Sequence, residues 1–418
     1  MDLTRRQFLS GVAGSGVAAA LGGCTTDRAP STAPGSGSRL GTGAAGDGVL
    51  VLLTLYGGND GLDTVIPADA SPYRSARGEL ARSPDDVLDL GDGLGLHPAL
   101  ERLKAEWDAG RLAVVRGVGI GDEDRSHFHC MDYWQTAGTP DGVGWLGRWL
   151  DTQPHDPMRA IAVGNELPLL LQGERGAGSL VPIGGARLPQ DPRLLDLFEA
   201  LSTPGHGDPP LVAAAATAGA DMLTVARAVG QATAGSGRGG SSSGSDPLDG
   251  PPAKAGGDAA QATGYEASGL KLVSRLIGAG APTRVYAVSM GGFDTHAGEK
   301  ATHDRLMAGL DAQVGGFLAD VGDAPVTLVA YSEFGRRVPV NGSGGTDHGT
   351  AGPVLVAGPR VKGGFVGDQP SLTNLVDGDL RQTLDFRSVY ATVLGHVLGS
   401  DPDAALRGAK VPTLPLFR

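Results

Sequence analysis

In Asn341-Gly-Ser-Gly-Gly-Thr-Asp347-His348-Gly-Thr350 an acidic residue directly precedes a histidine within a run of glycines. In a strand the two side chains would point to opposite faces. In a glycine-permitted loop both can turn toward one centre. Together they offer a carboxylate oxygen and an imidazole nitrogen, donors that suit zinc, with manganese, calcium or iron as alternatives. A turn with an internal Asp–His hydrogen bond is an equal local reading, so the rest of the chain has to decide.

Other residues offer the same chemistry. Asp294 and His296 are two apart, which puts both on one face of an extended segment, where they can hold one divalent ion. Asp60 lies between Asn59 and Gly61, in ordinary Asx-turn material, and is a further candidate ligand. Ser126 opens a predicted helix, where free N–H groups favour an anion. It is read either as an N-cap or as a nucleophile that a metal would activate. His127 and His129 are two apart on that helix, so one of them can face a site, and His127 is favoured. Arg125, and Arg336 after Glu333, are candidates to neutralise an anionic substrate. His97 and His303 are further candidate ligands, whereas Cys130 reads as buried.

These residues need a scaffold that gathers them. Gly48–Tyr56 is a continuous apolar run, as in a strand buried on both faces. Residues 111–118, 159–163, 284–289, 324–331 and 354–357 read as further strands. Helices are expected at 98–109, 126–134, 192–202, 210–230, 265–277, 306–321 and 386–398. Alternating strands and helices predict an α/β fold with a mostly parallel sheet. Ligands in such sheets sit beyond the carboxyl ends of the strands. Asp60, Ser126–His129, Asp294, His296, Asp347 and His348 all fall there.

The chain has 418 residues, 40% hydrophobic, with 69 glycines, 28 prolines and a net charge of −12. That length suits a sizeable core, and the acidic balance argues against nucleic acid as a partner. Two cysteines exclude a disulfide scaffold. Thr4-Arg5-Arg6-Gln7-Phe8-Leu9 is a twin-arginine export pattern, followed by an apolar run too short for a comfortable span. Leu21-Gly22-Gly23-Cys24 resembles a lipoprotein cleavage box. Residues 1–23 are thus expected to be a signal peptide, with Cys24 lipidated and residues 24–47 a flexible tether. The expected location is the outer face of the cytoplasmic membrane, or secretion, with the export machinery and the membrane as partners. One domain is expected over residues 48–418, interrupted by a Gly/Ser-rich disordered insertion at about 232–263.

Leu53-Thr-Leu-Tyr-Gly-Gly-Asn-Asp-Gly61, Leu96-His-Pro-Ala-Leu100, Arg125-Ser-His-Phe128, Gly144-Trp-Leu-Gly-Arg148, Gly292-Phe-Asp-Thr-His296, Ser332-Glu-Phe-Gly-Arg-Arg337 and Thr346-Asp-His-Gly349 form an ordered series. The series resembles the DUF1501 family of exported bacterial proteins, which is similar to the alkaline phosphatase/sulfatase superfamily. The resemblance implies an α/β sandwich with a metal site at the strand ends. Asp60 would then be a metal ligand, Ser126 the nucleophile, Asp294 and His296 one pair of ligands and Asp347 and His348 another. The Asp294-to-His296 spacing is shorter than the phosphatases use, and a late histidine that usually completes the first site has no clear counterpart. The function expected on this basis is metal-dependent hydrolysis of a small anionic phosphate or sulfate ester. A cell-envelope binding or assembly protein, keeping the fold and a structural metal, is the competing expectation.

Overall fold

Within Val49–Leu55 the side chains divide cleanly. Val49, Val51, Leu53 and Leu55 enter one hydrophobic core, while Leu50 and Leu52 enter another. All seven residues are buried, so this strand lies in the middle of a sheet covered on both faces. The computed structural model describes residues 46–121, 124–186, 188–234 and 259–418. The signal peptide, Cys24, nearly all of the tether and residues 235–258 of the expected insertion lie outside them. The residues flanking that last segment are helical, Pro210–Ala234 before it and Ala259–Gly278 after it.

The main sheet has nine strands. They are β1 (Val49–Leu55), β2 (Leu112–Gly119), β3 (Ala160–Val163), β4 (Ser179–Val181), β5 (Val285–Met290), β6 (Val326–Tyr331), β7 (Gly352–Ala357), β8 (Gly364–Val366) and β9 (Leu384–Asp385). Their order is β8-β2-β7-β6-β1-β5-β3-β4, with β9 also paired to β2. Every pairing is parallel except the two made by β7. Because β7 runs against both β2 and β6, those two share a direction. The carboxyl ends of β1, β2, β5 and β6 therefore meet at one rim, where the loop before β7 also starts its return.

Helices cover both faces. Glu101–Asp108, Ala259–Gly278 and Glu299–Val321 supply one core with Leu103, Leu276, Leu310 and Val314. His127–Thr136, Trp145–Asp151 and Arg387–His396 supply the other with Trp134, Trp145, Tyr390 and Val393. The expected α/β architecture, a mostly parallel sheet flanked by helices, is the one observed. The antiparallel β7, the short strands β4, β8 and β9, the helix Trp145–Asp151 and a three-stranded sheet at Val65–Ile66, Leu88–Gly91 and Leu94–Leu96 were not expected. All but β7 are too short for their periodicity to register, and β7 was expected as a strand without its direction. Among the described residues Pro210–Ala234 is one helix long and apolar enough to cross a membrane.

At the rim, the turn after β1 contains Gly57, whose φ of +117° lies outside the range of ordinary side chains. A Cβ there would stand 2.4 Å from the backbone nitrogen of Asp294. The two loops can lie so close only because residue 57 is glycine. Gly57→Ala is expected to destabilise the fold by about 1–3 kcal/mol, through backbone strain plus overpacking. A urea midpoint equal to that of the parent would contradict this account of the rim.

Candidate metal centre

Four polar side chains converge at the rim. His127 comes from the first position of the helix after β2, Asp294 and His296 from the loop after β5, and His348 from the loop between β6 and β7. His296 Nε2 and His348 Nε2 are 2.9 Å apart, and each is 3.1 Å from Asp294 Oδ1. His127 Nε2 lies 3.6 Å from Asp294 Oδ2. The His127 and His296 rings stand 4.3 and 4.6 Å from that of His348.

The outer nitrogens settle which way each imidazole faces. His127 Nδ1 is 2.8 Å from Glu333 Oε1, His296 Nδ1 is 3.1 Å from Asp347 Oδ1, and His348 Nδ1 is 2.9 Å from the Arg125 carbonyl. All three partners accept hydrogen bonds, so each ring donates from Nδ1 and, when neutral, presents a bare lone pair at Nε2. His127 Nε2 is buried and has no hydrogen-bond partner. Two lone pairs facing each other at 2.9 Å repel unless a cation lies between them. The triangle formed by His296, His348 and Asp294 has edges of about 3 Å, close to the spacing of adjacent ligands around a four-coordinate ion with ~2 Å bonds. The donor set, three imidazoles and one carboxylate, therefore fits a divalent transition metal. His296 and Asp294 are 42% and 48% exposed, so the group opens to solvent, as a catalytic ion requires and a purely structural one does not.

A second layer holds these groups. Glu333 is buried, and its Oε1 also accepts from the Gly57 amide, while Ser332 Oγ donates to its Oε2. Burial alone would raise its pKa, but the hydrogen bonds from His127 and backbone amides lower it. That hydrogen bond in turn raises the pKa of His127, whereas burial lowers that of His348. Burial likewise opposes ionisation of Asp294, yet the hydrogen bond from Arg336 helps bring it down to about 2.

The other sequence candidates take different places. Arg336 is fully buried; it donates to Asp294 Oδ1 and to the carbonyls of Gly57, Gly58, Phe293 and Thr346. It holds three loops together and is buried away from any substrate. The Arg125 guanidinium is bound to Asp379, and only its carbonyl reaches the centre. Asp347 stands one layer out, its Oδ1 accepting from His296 and from Asn341 Nδ2. Asp60 is not in the group: it is buried, caps Gly61–Thr64 and is paired with both terminal nitrogens of Arg77. Ser126 is exposed and makes no side-chain cap bond, between Arg125 and His127. His129 lies on the outer side of the helix beside Tyr133.

His97 and His303 join Asp63 in a separate, buried group. His97 Nε2 is 3.0 Å from Asp304, and its Nδ1 accepts from the Ala99 amide. His303 lies between Asp63 Oδ2 at 2.9 Å and Asn59 Oδ1 at 3.2 Å. Arg82 grips Asp63 and Asp304, so a guanidinium already supplies the cation there. Sequence reading missed Asp63, Arg77, Arg82, Asn341 and Glu299. Asn341 stood in a segment already singled out, but nothing local marked Asp63 or the two arginines, which lie 17 and 19 residues from the carboxylates they bind.

Glu299 is buried at the start of its helix, where Oε2 accepts from Thr346 Oγ1 at 2.7 Å. Burial and then the charge of Asp60 push its carboxyl up to about 9. The folded protein thus keeps a proton that the unfolded chain has lost between about pH 4.5 and 9. This contribution to stability is complete below about pH 4.5 and is lost as pH rises through 9. Glu299→Gln, with a permanently neutral amide, is expected to flatten the decline in urea midpoint across that window. Parallel declines in variant and parent would count against a protonated Glu299.

No curated protein matches the chain. Among solved structures, the chain is similar to the lipoteichoic acid synthase LtaP from Listeria monocytogenes at 9% identity, over 85% of this chain and 72% of that one, with a TM-score of 0.36. It is also similar to the C-terminal periplasmic domain of EcEptC from Escherichia coli, alone and in complex with Zn. Those two share 12% identity over 90% of this chain and 92% of theirs, with TM-scores of 0.33 and 0.34. The chemical reading of the site rests on this chain's own side chains. Residues 248–410 match the family model "Protein of unknown function (DUF1501)", the family that the ordered motifs resemble.

Proposed function

We propose that this protein is a metal-dependent hydrolase of phosphate or sulfate esters, with His127, His296, His348 and Asp294 as the ligands of one divalent ion. The observation that carries the reading is the set of three imidazoles whose Nδ1 positions are all taken by acceptors while their Nε2 atoms gather around Asp294. The nitrogen-rich donor set favours zinc over calcium or magnesium. When bound, such an ion polarises an ester oxygen and lowers the pKa of an adjacent hydroxyl.

Ser126 is the nucleophile in this reading: its hydroxyl is exposed, makes no cap bond and belongs to the residue next to His127. Its Oγ bonds to phosphorus or sulfur as the bond to the alcohol oxygen breaks, and the serine proton leaves on the alcohol. Water then adds across the new Oγ bond, restoring the serine and releasing phosphate or sulfate. Arg336 acts by fixing Asp294 rather than by touching substrate. The same reading includes export by the twin-arginine route and a lipid at Cys24 that holds the protein at the outer face of the cytoplasmic membrane.

One observation favours a non-catalytic envelope binding or assembly protein instead. Both arginines expected to meet an anion, Arg125 and Arg336, are taken up by Asp379 and by the rim loops, and Asp60 is held by Arg77. Protein purified without chelator is expected to hold about one equivalent of zinc. Glu333→Gln should weaken its affinity about 10–100-fold by freeing the His127 ring. Ser126→Ala should keep the metal and lose ester turnover. A zinc-loaded protein inert toward phosphate and sulfate monoesters and diesters would leave the binding reading in its place.

A further inference from the structure

Beside the centre lies a groove of about 680 Å³, bounded by Glu79 and Leu80, by the start of the helix Glu299–Val321, and by the loop from Val340 to Gly344. That volume is within the usual range for a small-molecule site. Asn341 joins groove and centre: it lines the groove, while its Nδ2 donates to the His296 carbonyl at 2.9 Å and to Asp347 Oδ1 at 3.0 Å. A molecule in the groove therefore touches the residue that holds the support of His296. Leu80, Ala301 and Val340 give it an apolar wall, and Val340 is 37% exposed. Lys300 Nζ donates to the Glu79 backbone carbonyl at 2.9 Å, a neutral partner, and makes no ion pair among the described residues. Glu79 also lines the groove and is the one acidic residue there.

We propose that this groove binds the leaving-group side of the substrate, an alcohol with an apolar body and an acidic group of its own. The assignment rests on the hydrolase reading for the word "substrate", though not for the binding itself. The apolar body lies against Leu80, Ala301 and Val340, the acid meets Lys300, and the ester linkage extends past Asn341 toward Asp294 and the three histidines.

Binding can be read without turnover. The probe is 8-anilinonaphthalene-1-sulfonate, an apolar anion, titrated by fluorescence into the full protein with and without zinc. One saturable site is expected in both forms. Val340→Asp and Lys300→Glu should each raise Kd about tenfold, a change of ~1.4 kcal/mol. Glu79→Gln should lower it, and Leu211→Ser, on the exposed helix Pro210–Ala234, should leave it unchanged. Unaltered Kd in both groove variants, or a change in Leu211→Ser alone, would overturn the proposal. Zinc content of the same samples separates the two readings. Groove-dependent binding without zinc uptake sinks the hydrolase and keeps the groove, while zinc uptake with groove-independent binding does the reverse.

Discussion

The whole rim is organised by one constraint: three imidazoles donate outward from Nδ1 and so must present Nε2 inward. Their three outward partners, a buried carboxylate, a loop carboxylate and a backbone carbonyl, come from three different places in the chain. None can give a hydrogen to the ring. The inward lone pairs then lie too close together to be left without a cation. A centre for a positive ion follows from hydrogen-bond donors and acceptors alone, before any question of ancestry.

The sheet supplies the positions and buried arginines fix them. Parallel β1, β5 and β6 deliver three loops to one edge, and antiparallel β7 lets the long loop from β6 cross that edge and return. Arg336 ties the Gly57–Gly58, Phe293–Asp294 and Thr346 segments together, so its removal would loosen ligand and support at once. Arg77 and Arg82 do comparable work below the rim, neutralising Asp60, Asp63 and Asp304. Where a guanidinium fills a carboxylate cluster the charges are balanced inside the fold. At the open cluster the Arg336 guanidinium meets Asp294 but leaves the imidazole nitrogens uncompensated.

Much of this was legible in the sequence, because apolar runs such as Val49–Leu55 have one sensible location and because parallel strands place their loops on one side. Asp294, His296 and His348 were named as ligands, and each stands in the centre. His127 and Glu333 were named only as lesser candidates, and their side chains are hydrogen-bonded to each other at the rim. Asp60 and Asp347 read as ligands because a carboxylate in a glycine-rich turn carries no mark of its partner. Arg77 lies 17 residues from Asp60 in sequence, and Asn341 commits Asp347 through a loop bend. Arg125 and Arg336 were read as substrate cations for the same reason: composition shows a guanidinium but not Asp379, which binds the one, or the carbonyls and Asp294 that surround the other. The orientation of β7 was equally hidden, since an apolar run reads the same in both directions.

The most direct test is a long-range proton–nitrogen correlation spectrum of zinc-free protein, with the imidazoles of His127, His296 and His348 assigned by single substitutions. At pH 8 the expected result is three rings protonated at Nδ1 and bare at Nε2, apart from any proton shared between His296 and His348. On addition of one equivalent of zinc all three Nε2 signals should move together. Rings protonated at Nε2, or signals indifferent to zinc, would contradict the account at its base.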